Sequence, residues 1–236
     1  MTRGRWFAWL AHAYTALGLV GAAVIFGLLV EGTDRGFRLA FAAMVATTLV
    51  DATDGWIARR ARVADVLPGF DGRRLDDLID FLTYTCLPLA LLWRAGLFPG
   101  AAAAWLLAPL LASAYGFCQA NAKTDDHYFL GFPSYWNIVA FYVYVLRMPG
   151  TPALALVLAL AGLTFVPARY LYSTAPGRLN RLTNVLSVPW AASLLAILWL
   201  WGGAPRGLVL ASLAFPAYYL AASWVVTVRR WRGGGT

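Results

Sequence analysis

Charged side chains are scarce in this chain of 236 residues. They make up 13% of it, while hydrophobic residues make up 61% and the mean hydropathy is positive. A soluble domain of this length would have far too little polar surface to cover itself. The composition therefore excludes an ordinary water-soluble protein and predicts one whose solvent is lipid.

Cysteine is also rare, with two residues in the whole chain. Cys86 and Cys118 both lie inside apolar stretches without metal-ligand spacing, so no disulfide framework is expected. A cleavable signal is lacking too, because Arg3 and Arg5 run straight into an apolar stretch that is long enough to span a membrane. We expect this stretch to be retained as an anchor.

Long apolar runs are what the chain has in abundance. A helix needs about 20 residues to cross the hydrocarbon core, and eight runs approach that length: 12–30, 37–58, 75–96, 100–119, 133–148, 151–167, 182–202 and 206–228. The fifth and sixth are short and predict a tight hairpin. The sequence therefore predicts an all-α, polytopic membrane helix bundle of about eight transmembrane helices, with 1–236 as a single domain.

The distribution of Lys and Arg orients this bundle. Eight crossings put both termini on one side, and 14 of the 19 basic residues fall on that side. This bias predicts that both termini and the loop 59–74 are cytoplasmic. The net charge of +8 is then mostly a topology signal with some attraction to anionic headgroups, and no nucleic-acid partner is expected.

Acidic residues are few, but most of them are clustered. Of 11 in total, seven lie within 30 consecutive positions, and all seven are Asp. Asp51 and Asp54 lie three apart at the end of the second predicted helix, and Asp76 and Asp80 lie four apart near the start of the third. Each pair projects from one helix face, so the four carboxylates are expected to converge.

Four carboxylates held together repel one another unless cations are present. An all-carboxylate ligand set favours Mg²⁺ or Mn²⁺ over zinc, and four Asp residues can hold two such ions, which would also bind phosphate oxygens. Neither His12 nor His127 lies near the cluster in sequence, so both are expected to be non-catalytic.

A salt-bridge belt is the structural alternative for these Asp residues. Five arginines are interleaved with them: Arg59, Arg60, Arg62, Arg73 and Arg74. Pairing with these arginines accounts well for Asp65, Asp71 and Asp77, which are off the paired faces. It does not explain the spacing around Gly55 and Ala58.

That spacing resembles a known signature. The segment D-A-T-D-G-W-I-A-R from Asp51 to Arg59, followed by G-R-R-L-D-D-L-I-D from Gly72 to Asp80, resembles the motif of the CDP-alcohol phosphotransferases. The gap of twelve residues between Arg59 and Gly72 is longer than the usual family form. It resembles the bacterial phosphatidylcholine synthase subfamily, as do the stretches F-P-S-Y-W-N at 132–137 and F-V-P-A-R-Y-L-Y at 165–172.

The resemblance implies an enzyme of the bacterial inner membrane with its active site facing the cytoplasm. An alcohol oxygen would attack the phosphatidyl phosphorus of CDP-diacylglycerol, and CMP would leave. Asp51, Asp54, Asp76 and Asp80 would ligate two Mn²⁺ or Mg²⁺ ions, and Asp80 would be the base that takes the hydroxyl proton.

The resemblance also implies a binding site for CDP-diacylglycerol. Gly55 and Ala58 would let the nucleotide approach the helix, although small residues also serve helix packing. Arg59 would offer a cation to the diphosphate or cytidine end, and Gly72 would open the third helix beside the nucleotide. Thr15 is a candidate for a diphosphate contact or, equally, for a hydroxyl bonded to its own helix.

Choline is the alcohol that the subfamily implies. Its quaternary ammonium suits an aromatic pocket, with a cation–π attraction of about 2 kcal/mol when desolvated. Tyr135 and Trp136, beside Asn137, are the best-placed residues, and an interfacial aromatic belt is the alternative reading. Arg169 would bind a lipid or substrate phosphate, or would only anchor its helix.

Two rival functions stay open at this stage. One keeps the chemistry but uses another alcohol, such as serine, inositol or glycerol phosphate. The other is a cation-coupled transporter whose Asp cluster is an ion site, although the chain lacks evident inverted repeats. The expected partners are CDP-diacylglycerol, choline and membrane lipids, and the oligomeric state stays open between a monomer and a homodimer.

Overall fold

The structure is a computed structural model that describes residues 3–98, 100–122, 124, 128–172 and 176–233. The chain divides into two compact units, Met1–Leu97 with Trp136–Phe141, and Phe98–Tyr135 with Tyr142–Thr236. Both are built from helices, and a single two-stranded sheet in the second unit is the only β structure in the described ranges. The all-α membrane bundle is confirmed, while the prediction of one domain over 1–236 stays a prediction.

The first unit contains the first three predicted crossings. Its elements are α1 Arg3–Thr15, α2 Leu17–Glu31, α3 Asp34–Arg60, α4 Val63–Val66, α5 Gly72–Asp80, a π-helical segment Phe81–Cys86 and α6 Leu87–Arg94. The turn between α2 and α3 is tight because Gly32 adopts a left-handed φ of 65° and the Thr33 side chain accepts a hydrogen bond from the Gly36 amide at 2.9 Å. This turn leaves α2 and α3 packed side by side.

The π-helical segment has a local cause in the sequence. Pro88 stands at the start of α6 and has no N–H, and in an α-helix its ring would press on the carbonyl of Tyr84. The helix changes to π-type hydrogen bonding just before Pro88, where the Leu87 amide donates to the carbonyl of Leu82, five residues back. Such π turns are rare and often occur at functional sites.

The second unit contains the remaining elements. They are a 3₁₀ helix Gly100–Leu106, α7 Leu107–Cys118, β1 Tyr128–Leu130, α8 Trp136–Val145, α9 Gly150–Leu163, β2 Arg169–Leu171, α10 Arg178–Trp199, α11 Arg206–Ser212 and α12 Ala214–Arg232. The first part of α8, Trp136–Phe141, belongs to the first unit. In the antiparallel sheet, Phe129 pairs with Tyr170. This sheet is not predicted from the sequence, because three-residue strands are too short to show a period of two.

Side chains of α12 satisfy the outer edge of β2. Thr227 accepts from the Arg169 amide at 2.8 Å, Ser223 accepts from the Leu171 amide at 3.2 Å, and Tyr219 donates to the Leu171 carbonyl at 2.9 Å. Because these three side chains are spaced four residues apart, one helix face takes the place of a third strand. The backbone on both sides of β2 is therefore hydrogen-bonded.

Within the part of the chain that the structure describes, five helices are long and apolar enough to cross a membrane: Arg3–Glu31, Asp34–Arg60, Gly100–Cys118, Arg178–Trp199 and Arg206–Arg232. Two shorter apolar helices, Trp136–Val145 and Gly150–Leu163, match the fifth and sixth predicted runs. The third predicted run corresponds to α5, the π-helical segment and α6, which follow one another without a break. Each of the eight predicted runs thus contains helix.

Glycines on α2 allow close packing in the first unit. A Cβ at Gly18 would collide with the Ile79 side chain of α5, and one at Gly21 would collide with the Thr47 side chain of α3. Helix α2 therefore lies against both neighbours with no space for a side chain at either position. This contact sets how closely α3 and α5 approach at their acidic ends.

We predict that Gly18→Leu destabilises the protein and that Gly27→Leu does not. A leucine at residue 18 must push α2 away from α5, and such overpacking costs about 1–3 kcal/mol. Nothing lies within 4 Å of a Cβ at Gly27, so this position is a matched control on the same helix. Thermal melting in detergent measures both variants, and equal shifts would contradict the close packing.

Candidate metal and phosphate site

The acidic residues singled out by spacing come together in the first unit. Asp51 and Asp54 lie in the last turns of α3, and Asp76 and Asp80 lie on α5, which Asp80 ends. Carboxylate oxygens of Asp51, Asp76 and Asp80 lie within 4.8 Å of one another. Asp54 is 7% exposed and lines the same cleft as these three residues.

The start of α5 fixes the direction of two of these carboxylates. Asp71 caps the helix, because its Oδ1 accepts hydrogen bonds from the amides of Arg73 and Arg74, both at 3.1 Å. The cap begins the helix at Gly72, so Asp76 and Asp80 follow on one helix face four residues apart. The local sequence thus directs the carboxylates of Asp76 and Asp80 toward α3.

Loop aspartates pair with arginine, as the sequence predicted for them. Asp65 Oδ2 lies 3.0 Å from Arg62 Nε, and Asp71 Oδ2 lies 3.3 Å from Arg74 Nε. All four side chains are more than half exposed, so these pairs contribute little to stability. The partner expected for Asp77 stays a prediction.

Tyr84 is a site residue that sequence reasoning missed. Its hydroxyl donates to Asp51 Oδ2 at 2.7 Å, reaching from the π-helical segment to α3. The available signal was a phenol inside an apolar run, four positions after Asp80. A partner of this kind fixes the orientation of a metal-ligating carboxylate.

Hydroxyl groups also line the cleft. Thr15, Thr47 and Thr83 contribute to its wall, and each also donates to a carbonyl of its own helix, at 3.5, 2.9 and 3.0 Å respectively. Thr15 lines the cleft and its hydroxyl bonds back to Ala11, while its contact with a diphosphate stays a prediction. Oxygen atoms of this kind suit a polar, charged ligand.

The remaining motif residues on α3 lie just past the acidic pair. The Arg59 side chain folds back along its own helix, so that a Cβ at Gly55 would lie 3.3 Å from its Nη1. Gly55 and Ala58 are half-buried and Arg59 is exposed. The small residues thus leave room for the exposed Arg59 side chain to lie along the helix, and the nucleotide contacts stay predictions.

The residues predicted for choline divide between the two units. Tyr135 lies in the second unit, with its ring centroid 6.0 Å from that of Tyr219. Trp136 and Asn137 lie in the first unit, where Trp136 is fully buried and Asn137 Oδ1 accepts from the Ile138 amide at 2.9 Å. Complete burial of Trp136 shows a packing role in this conformation.

Three further residues were considered in the sequence analysis: Arg169, His127 and His12. Arg169 is the first residue of β2 and half-buried, with its backbone held by Thr227 of α12. His127 lies outside the described residues. His12 lies nearer to the acidic helices than the sequence suggested, one turn before Thr15 and beside Gly72.

The donor set fits a hard divalent cation. Three carboxylates with oxygens within 4.8 Å of one another match the oxygen-only ligation of Mg²⁺ and Mn²⁺. Asp54 adds a fourth, buried carboxylate to the same cleft. Without a cation, so many negative charges in a confined and poorly hydrated cleft would repel one another strongly.

Comparison with known proteins adds an independent line of support. No family model matches the chain. It is 37% identical over 166 residues to a phosphatidylcholine synthase of Legionella bozemanae, covering 66% of this chain and 75% of that protein. It is 35% identical over 187 residues to a phosphatidylcholine synthase of Pseudomonas aeruginosa, covering 79% and 77%.

An all-α membrane bundle with this motif and converging aspartates defines the class of integral membrane CDP-alcohol phosphotransferases. A phosphatidylcholine synthase of Bradyrhizobium diazoefficiens is a further relative, 37% identical over 78% of this chain and 68% of that protein. The chain belongs to the bacterial phosphatidylcholine synthase family.

We predict that Tyr84→Phe weakens Mn²⁺ binding by about tenfold, the loss typical when a partner of a metal ligand is removed. The variant loses the 2.7 Å hydrogen bond to Asp51 but keeps the ring. Tyr14→Phe is the control, because the Tyr14 hydroxyl lies 2.7 Å from the Thr53 hydroxyl and so has a non-acidic partner. Electron paramagnetic resonance titration of Mn²⁺ in detergent measures both, and unchanged affinity in Tyr84→Phe would contradict its role.

Proposed function

We propose that this protein transfers the phosphatidyl group of CDP-diacylglycerol to free choline and releases CMP, on the cytoplasmic side of the bacterial inner membrane. The observation that carries this proposal is the convergence of Asp51, Asp76 and Asp80 in a chain that belongs to this family.

Asp51, Asp54, Asp76 and Asp80 would hold two Mn²⁺ or Mg²⁺ ions. Such ions, when bound, neutralise charge on the diphosphate of the substrate. The four carboxylates supply the negative charge that retains the ions, and Tyr84 holds one oxygen of Asp51 in place. The wall hydroxyls, including Thr15, offer neutral donors to the phosphate oxygens.

Asp80 is our candidate for the general base. In the reaction, the choline oxygen forms a bond to the phosphatidyl phosphorus, the bond from that phosphorus to the CMP oxygen breaks, and the hydroxyl proton passes to a carboxylate. Asp80 is the last residue of α5, at the boundary with the π-helical segment. It is therefore the member of the acidic pair that lies farther from the start of the helix. A positioned base of this kind contributes about 10²–10⁴-fold.

The substrate nucleotide would lie along the exposed end of α3. Gly55 and Ala58 leave room for it, and Arg59 would meet its diphosphate or cytidine end. Gly72, at the start of α5, is the fourth motif position that the family resemblance assigns to the nucleotide. That all four residues adjoin the acidic cleft in sequence supports this assignment.

Choline binding would involve aromatic rings. Tyr135 supports this proposal because its ring lies beside that of Tyr219, and the Tyr219 ring lies in turn 6.4 Å from that of Tyr170. Aromatic faces attract a quaternary ammonium by about 2 kcal/mol when water is excluded. Trp136 and Asn137 follow in the chain but belong to the first unit, and the proposal that they take part in choline binding rests on the sequence motif.

Arg169 would bind a lipid or substrate phosphate. Its guanidinium is a suitable donor for phosphate oxygens, and its backbone is fixed by Thr227 at 2.8 Å. The cytoplasmic placement of the active site rests on the bias of basic residues toward the loop 59–74 and the termini.

A panel of alcohols tests the proposed substrate. Purified protein in detergent, with CDP-diacylglycerol and Mn²⁺, is given radiolabelled choline, serine, inositol or glycerol phosphate. We expect a lipid product from choline alone, with CMP released in equal amount. A product from another alcohol and none from choline would overturn the choice of substrate, and no CMP from any alcohol would overturn the enzyme.

We predict that Asp80→Asn lowers kcat by about 100-fold or more, with a smaller effect on KM for CDP-diacylglycerol. The amide keeps the shape of the side chain but cannot accept the hydroxyl proton. Asp65→Asn is the control, because Asp65 is exposed and pairs only weakly with Arg62. CMP release at varied substrate concentration gives both constants, and unchanged turnover in Asp80→Asn would rule out its role as base.

A further inference from the structure

His12 is a buried residue to which the proposed reaction gives no role. It lies in the last turn of α1 and is 5% exposed. Its ring centroid lies 4.5 Å from that of Phe70 and 6.0 Å from that of Trp9. Within the described residues its Nε2 atom is buried and has no hydrogen-bond partner, so aromatic packing holds the ring in place.

The ring lies directly against Gly72. A Cβ at residue 72 would stand 2.5 Å from Cε1 and 3.0 Å from Nδ1 of His12. Both distances are too short for ordinary contact between such atoms. Gly72 does not have a positive φ, so its backbone conformation does not require glycine. The position of the imidazole is what excludes a side chain there.

The imidazole has little freedom to move aside. Phe70 covers one side of it and Trp9 approaches from another, and the flanking residue Ala11 on α1 is also buried. Because buried side chains interdigitate with few voids, a methyl group at residue 72 would displace the start of α5 rather than the ring.

We propose that His12 is a positioning residue for the acidic cleft. Its imidazole packs against the first residue of α5. This contact sets the position of α5 and therefore the position at which Asp76 and Asp80 face Asp51. Gly72 is glycine because the ring of His12 occupies the place of a side chain. This inference rests on the proposed function only in that these aspartates hold the metal.

A different reason for Gly72 makes the opposite prediction. If glycine is required so that a nucleotide can approach the backbone, then removing the His12 ring gives no benefit to a variant with a side chain at residue 72. If the ring is the reason, removing it makes room for that side chain. The two explanations are therefore separated by a double-mutant cycle.

The experiment compares the full-length protein with Gly72→Ala, His12→Ala and the double variant, all purified in detergent. The measurements are Mn²⁺ affinity by electron paramagnetic resonance, melting temperature, and kcat and KM for CMP release. Gly69→Ala is the matched control, because Gly69 lies three residues before Gly72 and nothing lies within 4 Å of a Cβ placed there.

We expect Gly72→Ala to weaken Mn²⁺ binding by about tenfold and His12→Ala to weaken it by less, because α5 then loses a support but is not pushed away. The double variant should return to within about threefold of His12→Ala alone. Gly69→Ala should bind Mn²⁺ as the unmodified protein does. If Gly72→Ala does not fold, recovery of folded protein in the double variant supports the inference in the same way.

A double variant no better than Gly72→Ala, in both metal affinity and melting temperature, would overturn the inference. So would a Gly72→Ala variant that behaves like the unmodified protein. Neither measurement depends on choline. A failed alcohol panel with a successful rescue would therefore overturn the proposed function and leave the role of His12 intact.

Discussion

Mutual repulsion among carboxylates is the constraint on which the rest of this structure depends. Carboxylate oxygens of Asp51, Asp76 and Asp80 lie within 4.8 Å of one another. Because these groups repel one another, tight packing of the helices that carry them must hold them together. The glycines of α2 provide that packing by bringing α3 and α5 against one helix. The energy of close helix contact is thus used to preorganise a site whose charge cations must balance.

The acidic cluster could be predicted from the sequence because its geometry depends on residues that are close together in the chain. Spacings of three and four residues on helices place Asp51 with Asp54 and Asp76 with Asp80 whatever surrounds them. The cap supplied by Asp71 and the arginine partner of Asp65 are local as well. The eight hydrophobic runs were readable for a similar reason, since the thickness of a bilayer sets their length.

Contacts between residues that are far apart in the chain could not be predicted from the sequence. The contact of Tyr84 with Asp51 joins positions 33 apart in the chain, and the contact of His12 with Gly72 depends on how α1 meets α5. Gly18 has no sequence feature that separates it from other glycines of a membrane helix. The short strand β2 escaped prediction because hydroxyls of α12, far along the chain, complete its hydrogen bonds.

The π-helical segment between Asp80 and Leu87 also limits which length changes the chain can tolerate. Each residue of an α-helix turns the chain by about 100°, so deleting one residue from Phe81–Cys86 would rotate Tyr84 or the whole of α6 to another face. The segment 60–71 is constrained by contact instead, because Phe70 packs against His12 and Asp71 caps α5. Among relatives, the spacing from Asp80 to Tyr84 should therefore stay constant.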